Sequence, residues 1–259
     1  MKENGKLIGP FKQVLTMQHL PLKGALKDEQ LEIIEQAGIY VVDGKISVVG
    51  DFNGLKEALP NDIEIVELKG DFVALPGYID CHTHIAFGGN RANDFAMRNA
   101  GSSYLEIAEA GGGIWSTVKH TRACSQEELK ALTLKRADAL LRQGITTVEV
   151  KSGYGLQVEE ELKTLRAIKE ANQSSYVDLV STCLAAHMHP KDHEGNAEDY
   201  LFEMGEKLFP ILRSENLTNR IDAFVEKSAF SAEQILPYYV KAKEMGFDLT
   251  VHGVQFSTS

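Results

Sequence analysis

The sequence predicts an α/β protein in which parallel strands are joined by helical crossovers, preceded by a small antiparallel β unit. Three observations carry this. Residues 39–50 put two β-branched runs around Asp43-Gly44, a pair suited to a two-residue hairpin because both positions tolerate left-handed backbone. After Pro76-Gly77, short apolar runs at 78–81, 145–150, 177–184, 221–225 and 247–252 alternate with helical stretches, the grammar of βα units. Helix starts and stops fall between those runs, at residues whose chemistry accounts for them. The expected division is an N-terminal β part over 1–75 and an α/β part over 76–259.

In chain order, the hairpin is followed by residues 62–75, whose short alternating runs break at Gly70 and are expected to extend the antiparallel unit. In the α/β part, Ser125 with Glu128 and Ser231 with Gln234 have the spacing at which each side chain bonds the other's backbone N–H and starts a helix. Gly144 and Gly246 close those helices as left-handed stops, directly before the runs at 145–150 and 247–252. Gly111-Gly112-Gly113 reads as a loop and lacks the spacing of a phosphate-binding fingerprint.

Composition bounds the function. With 259 residues, 43% hydrophobic and 25% charged, the chain has the make-up of a globular protein, which excludes disorder, collagen and coiled coil. Its 37 acidic and 27 basic residues give a formal charge of −10, which repels nucleic acid and anionic membrane, so neither is an expected partner. An anionic small molecule would need locally placed arginines. No apolar run approaches the length of a membrane span, and the first residues carry no apolar signal region. Cys81, Cys124 and Cys183 match no disulfide framework or zinc ribbon; they read as buried apolar residues in a reducing compartment, and the expected location is the cytoplasm.

The residues that carry chemistry cluster at strand ends. His82 and His84 flank Thr83 at the end of the run YIDC, so on an extended strand both imidazoles project to one side and could grip a single metal ion. A core pair of histidines is the bland alternative; the position, at the carboxyl end of the first strand of the βα series, favours ligation. His252 ends the fifth run, FDLTVH. If the strands close into a barrel it joins the same mouth, giving three neutral nitrogen ligands and room for water. His187 follows the third run and is expected to hydrogen-bond a substrate carbonyl or oxyanion, while His189 and His193 are expected to be solvated. Glu149-Val150-Lys151-Ser152-Gly153-Tyr154-Gly155 ends the second run, and its glycines make a tight loop presenting Tyr154. Lys151 is expected in a rim ion pair and Glu149 in a buried hydrogen bond. Arg91, a few residues beyond the histidine pair on an acidic chain, is the candidate fork for a substrate carboxylate, and Tyr104 could add a hydroxyl to the pocket.

These blocks, PGYIDCHTHIAFGGNRANDF, SYLEIAEAGGGI with Thr121-Arg122, GITTVEVKSGYGL, the AAH after the third run and DAFVEKSAFS, resemble imidazolonepropionase, a family of the amidohydrolase superfamily. The resemblance implies a metal-dependent (β/α)8 barrel, of which about five βα units are present, with a small β-sandwich part. It also implies hydrolysis of 4-imidazolone-5-propanoate to N-formimidoyl-L-glutamate in histidine degradation, by attack of a metal-bound hydroxide on the ring carbonyl. It would place zinc or iron (Zn2+ or Fe3+) on His82, His84 and His252, the propanoate on Arg91, and Tyr104, Tyr154 and His187 around the pocket. Gln255 falls where the family has Glu or Gln near the reacting centre; an amide there positions substrate or water but shuttles no proton. A strand-eight aspartate of the family has no counterpart here, so the chain is expected to be a fragment or truncated product. The partner implied is a small-molecule substrate, with a homodimer as the assembly allowed. The alternatives are another metal-dependent amidohydrolase or deaminase, or a metal-binding remnant without activity.

Overall fold

The computed structural model describes residues 5–103, 106–107, 110–226 and 229–254. The chain divides into two compact units, Met1–Gly77 and Tyr78–Ser259.

In the first unit, β1 (Gly5–Leu15), β2 (Ile33–Val42) and β3 (Lys45–Asp51) pair antiparallel, and the β2–β3 turn places Asp43 at φ 49° and Gly44 at φ 76°. The Asp51 carboxylate then accepts the Gly54 N–H at 2.7 Å and starts helix α1 (Phe52–Ala58). Phe52 packs against Leu7 and Tyr40 to form a small core. The expectation of a wholly antiparallel unit is corrected here: β4 (Glu64–Glu67) and β5 (Val73–Ala74) both pair parallel with β1. The cause is α1. A helix instead of a tight turn after β3 returns the chain, so β4 runs in the direction of β3 and therefore of β1. Among the described residues this unit is a single mixed sheet, one layer of the sandwich implied by the resemblance.

The second unit is built on β6 (Tyr78–Thr83), β7 (Ile145–Lys151), β8 (Asp178–Ala186), β9 (Arg220–Phe224) and β10 (Asp248–His252). They lie side by side in sequence order, every neighbouring pair parallel, as successive strands do in a (β/α)8 barrel. Between them run α2 (Ala92–Asn99), α3 (Gly113–Ala123), α4 (Gln126–Leu141) and α5 (Val158–Ser174). A helical run follows, made of α6 (Ala197–Glu203), a π turn (Met204–Leu208) and α7 (Phe209–Ser214), and then α8 (Ala232–Glu244). Both expected capping boxes are formed, at Ser125/Glu128 and Ser231/Gln234, and Gly144 and Gly246 close their helices at φ 87° and 79°.

The core of this unit lies where α5 meets the sheet: Leu162, Leu165 and Ile168 pack with Val148, Val150, Leu179 and Cys183, all buried. Each large side chain removed from water there is worth about 1.5–3 kcal/mol. Of the three cysteines only Cys183 belongs to this core; Cys81 is exposed and Cys124 half-buried, because their positions on β6 and after α3 leave them short of it. No helix among the described residues is long and apolar enough to cross a membrane.

Candidate metal centre

Parallel strands in sequence order bring all their carboxyl ends to one edge, and the chemistry collects there. His82 stands in β6, His84 one residue beyond it, and His252 ends β10. The three rings offer nitrogens that all lie within 4.8 Å of one another, with Nε2 of His252 3.3 Å from Nε2 of His84. Nδ1 of His84 is buried and has no hydrogen-bond partner among the described residues. Burial, with the neighbouring histidines adding to it, pushes His84 down to about 3, and burial also lowers His82. Both rings are therefore neutral at pH 7, the form that ligates a metal. Three converging imidazoles, two of them nose to nose, fit a borderline cation such as zinc or iron and leave coordination positions for other groups.

A buried ion cluster lies behind these rings. Lys151, at the end of β7, reaches Glu149 at 2.7 Å and Asp222 at 2.8 Å, and all three are within 5% of full burial. Lys151 was expected at the rim; because β7 lies between β6 and β8, its end is covered and the ammonium is enclosed with both carboxylates. Glu149 also accepts the Thr83 N–H, while its own carbonyl accepts the Thr83 hydroxyl at 2.6 Å, tying β7 to the histidine strand. Asp222 was missed by the sequence reading, although an acid in the middle of the apolar strand RIDAF already demands a buried partner.

His187, one residue past β8, packs its ring against His84, Tyr154 and Phe224 at centroid distances of 5.6, 5.3 and 6.1 Å. Its Nδ1 lies 2.8 Å from the Gly153 carbonyl, which only accepts, so Nδ1 carries the proton. Burial pushes the ring down to about 4. The neutral ring then presents Nε2 as a lone-pair acceptor, and the donor role expected from the sequence would need a doubly protonated ring. The Tyr154 ring lies tilted against His84 (6.0 Å) and edge-on to Phe87 (6.1 Å), and burial raises its hydroxyl pKa.

Arg91 precedes α2, with Nε bound by Asp94 and Nη1 3.4 Å from the Thr117 hydroxyl. Its charge is felt at Tyr154. Tyr104 and Gln255 lie outside the described residues. His189 and His193 are half-buried, both near the Gly195 carbonyl, with His193 3.2 Å from Glu203; the loop folds back on itself instead of leaving them in solvent. Arg136 was also missed: from α4 it donates to the carbonyls of Ile85 and Phe87 at 2.7 Å each and lies over the Phe87 ring, fixing the segment after His84. A lone arginine inside a regular helix carries no local signal of that reach.

No protein-family profile matches the chain. Among curated proteins it is similar to the imidazolonepropionase of Pseudomonas aeruginosa (strain UCBPP-PA14), 43% identical over 235 residues, 90% of this chain and 57% of that one. The imidazolonepropionase of Fusobacterium nucleatum is 45% identical over 227 residues, 87% of this chain and 54% of that one. The chain thus spans about half the length of the curated relatives it matches. Among solved structures, 5-methylcytosine deaminase from Klebsiella pneumoniae superposes with a TM-score of 0.58 at 13% identity, covering 95% of this chain and 50% of that one. Escherichia coli guanine deaminase gives 0.54 at 16%, covering 95% and 52%. A mutant atrazine chlorohydrolase from Arthrobacter aurescens, solved with zinc, gives 0.52 at 18%, covering 97% and 53%. In sequence the chain is a relative of the imidazolonepropionases along nine-tenths of its length, and its α/β fold, with five parallel strands in sequence order, is similar to that of these two deaminases and the chlorohydrolase.

Proposed function

We propose that the site binds zinc or iron through His82, His84 and His252, and that the reaction it serves is hydrolysis of the ring amide of 4-imidazolone-5-propanoate to N-formimidoyl-L-glutamate. The observation that carries this is the convergence of three histidine nitrogens, in a chain 43% identical to an imidazolonepropionase. Bound there, the ion supplies a Lewis acid that activates water and polarises the ring carbonyl.

The chain's own residues do the rest. Asp222 holds His252 from behind, and Lys151 keeps that carboxylate ionised in a buried place. Arg91 receives the propanoate, and Tyr154 and Tyr104 wall the ring. Nε2 of His187 accepts a hydrogen bond from the substrate or from water. Gln255 orients substrate or water without exchanging a proton. A cytoplasmic homodimer acting on this small molecule, with no nucleic acid or membrane partner, completes the proposal.

The test is to load the full-length enzyme, with the strand-eight aspartate that the resemblance implies, with zinc or iron and supply 4-imidazolone-5-propanoate. Formation of N-formimidoyl-L-glutamate is the expected result. Tight metal binding with no turnover overturns the hydrolase reading in favour of a metal-binding remnant. Release of ammonia from an aminated ring, with the imidazolone untouched, replaces it with a deaminase.

A further inference from the structure

One buried acid takes no part in the chemistry above. Glu161 sits in the first turn of α5 with no exposed surface. Its Oε1 accepts the N–H groups of Gly155 at 2.7 Å and Leu156 at 2.8 Å, its Oε2 accepts that of Gly153 at 3.0 Å, and the Ser152 hydroxyl bonds it as well. These donors converge on the two oxygens of one fully buried carboxyl group, whose pKa burial raises while the hydrogen bonds oppose that rise. The loop so gathered has little slack. Gly153 stands at φ 105° and a Cβ there would lie 2.7 Å from the Leu184 carbonyl. A Cβ on Gly155 would lie 2.6 Å from the backbone of Glu160 and Glu161. On the other side, Nε of Arg122 donates to the Gly155 carbonyl at 2.7 Å. Toward His187 the loop presents the Gly153 carbonyl, 2.8 Å from Nδ1 of that ring.

We propose that Glu161 is the positioning residue of this pocket: by clamping the Ser152–Leu156 loop it aims the Gly153 carbonyl at His187, holds the ring proton on Nδ1, and so makes Nε2 a hydrogen-bond acceptor toward the ligand. The tautomer follows from the geometry alone; what Nε2 meets rests on the proposed function. There, a lone pair at Nε2 selects a donor, such as a ring N–H of a cyclic amide or a water molecule, and disfavours a carbonyl oxygen. Among the described residues the hydrogen bonds of Glu161 go to the loop and none to His82, His84 or His252, so its influence on His187 travels through the loop.

The experiment is 15N NMR of the histidine rings in the zinc-loaded protein, with His187 assigned by its loss in His187→Asn. The wild type should show His187 protonated at Nδ1 and bare at Nε2. Glu161→Gln keeps the shape but turns an NH2 group toward a backbone N–H. It should drive His187 toward a mixture of tautomers and lower kcat/KM by about 10–100-fold, the usual effect of removing an outer positioning group, while zinc affinity is kept. Ser152→Ala, a milder cut at the same carboxylate, should speed exchange of the Nδ1 proton and keeps the test decisive if Glu161→Gln does not fold. A wild-type His187 protonated at Nε2 overturns the proposal. So does a folded Glu161→Gln protein, or failing that a Ser152→Ala protein, with an unchanged His187 ring. Absence of turnover in a wild type that has the Nδ1 tautomer counts against the hydrolase reading and supports this one.

Discussion

Oδ2 of Asp222 lies 2.8 Å from Nδ1 of His252 and the same distance from Nζ of Lys151, so one carboxylate oxygen joins the histidine of β10 to a buried cation. The ring N–H is not aimed straight at that oxygen, yet the contact assigns the proton to Nδ1 and frees Nε2, the nitrogen that faces His84. Burial works against the Asp222 charge, but the close approach of His252 and Lys151 outweighs it and holds the acid at about 2.

Asp222→Asn should therefore weaken zinc binding by about 10–100-fold, because a neutral amide no longer orients the imidazole or raises its basicity. A competition titration against a chromophoric chelator reads this. Unchanged affinity would mean that His252 is aimed by its packing alone.

Lys151→Met tests the cluster from its other side. Removing the cation leaves Glu149 and Asp222 as two buried carboxylates without their shared counter-charge, a loss of about 3–5 kcal/mol by the usual cost of breaking a buried pair. Urea denaturation at pH 7 with chelator present measures it. Adding Glu149→Gln and Asp222→Asn to the same protein should recover a large part of the loss, and failure to recover any would place the damage in packing.

The pH dependence has a definite sign. His84 and His187 are held down at about 3 and about 4 by burial, so the folded protein resists protons that the unfolded chain binds below about pH 6.5. Their contribution is complete above pH 6.5 and is lost as the pH falls toward 4 and 3. At pH 5 each ring should cost about 2 kcal/mol relative to neutrality, taking about 1.4 kcal/mol for each pH unit below the unfolded value. Denaturation midpoints in chelator between pH 7 and 5 should fall steadily; a flat profile would show that the rings are charged or hydrated in the fold.

Much of this architecture was legible because the signals are local. The runs around His82, Lys151, His187, Asp222 and His252 are short and apolar, and Ser125, Gly144, Ser231 and Gly246 mark the helices between them with side-chain and backbone chemistry that needs no tertiary context. Strand direction in the first unit was not legible, since nothing within 64–67 or 73–74 says which neighbour a strand will choose. Nor was β1, whose Pro10 and lysines obscure its alternation. In the site, the histidines stood out by type and position. Glu161 did not: an acid in the first turn of VEEELK reads as an exposed partner of the helix dipole, and only the loop folded over it reveals a buried clamp.

Arg91 gives the last prediction, and Asp94 shapes it. Asp94 binds Nε of Arg91 and accepts the Gly113 N–H at 2.9 Å, so the guanidinium is oriented from one edge and a substrate carboxylate is left to the η nitrogens. Those two nitrogens form a planar fork matched to a carboxylate, whereas an ammonium offers one point of charge and cannot be held by Asp94 in the same pose. On the proposed function, the propanoate would be remote from the ring amide and gripped equally in the ground and transition states. Arg91→Lys, in the full-length enzyme, should therefore raise KM for 4-imidazolone-5-propanoate by about 10–100-fold, the worth of one charged hydrogen bond, while kcat changes little. A substrate analogue lacking the carboxylate should be hydrolysed equally by both proteins. If instead kcat falls with KM unchanged, the arginine acts at the reacting centre, and the propanoate is bound elsewhere.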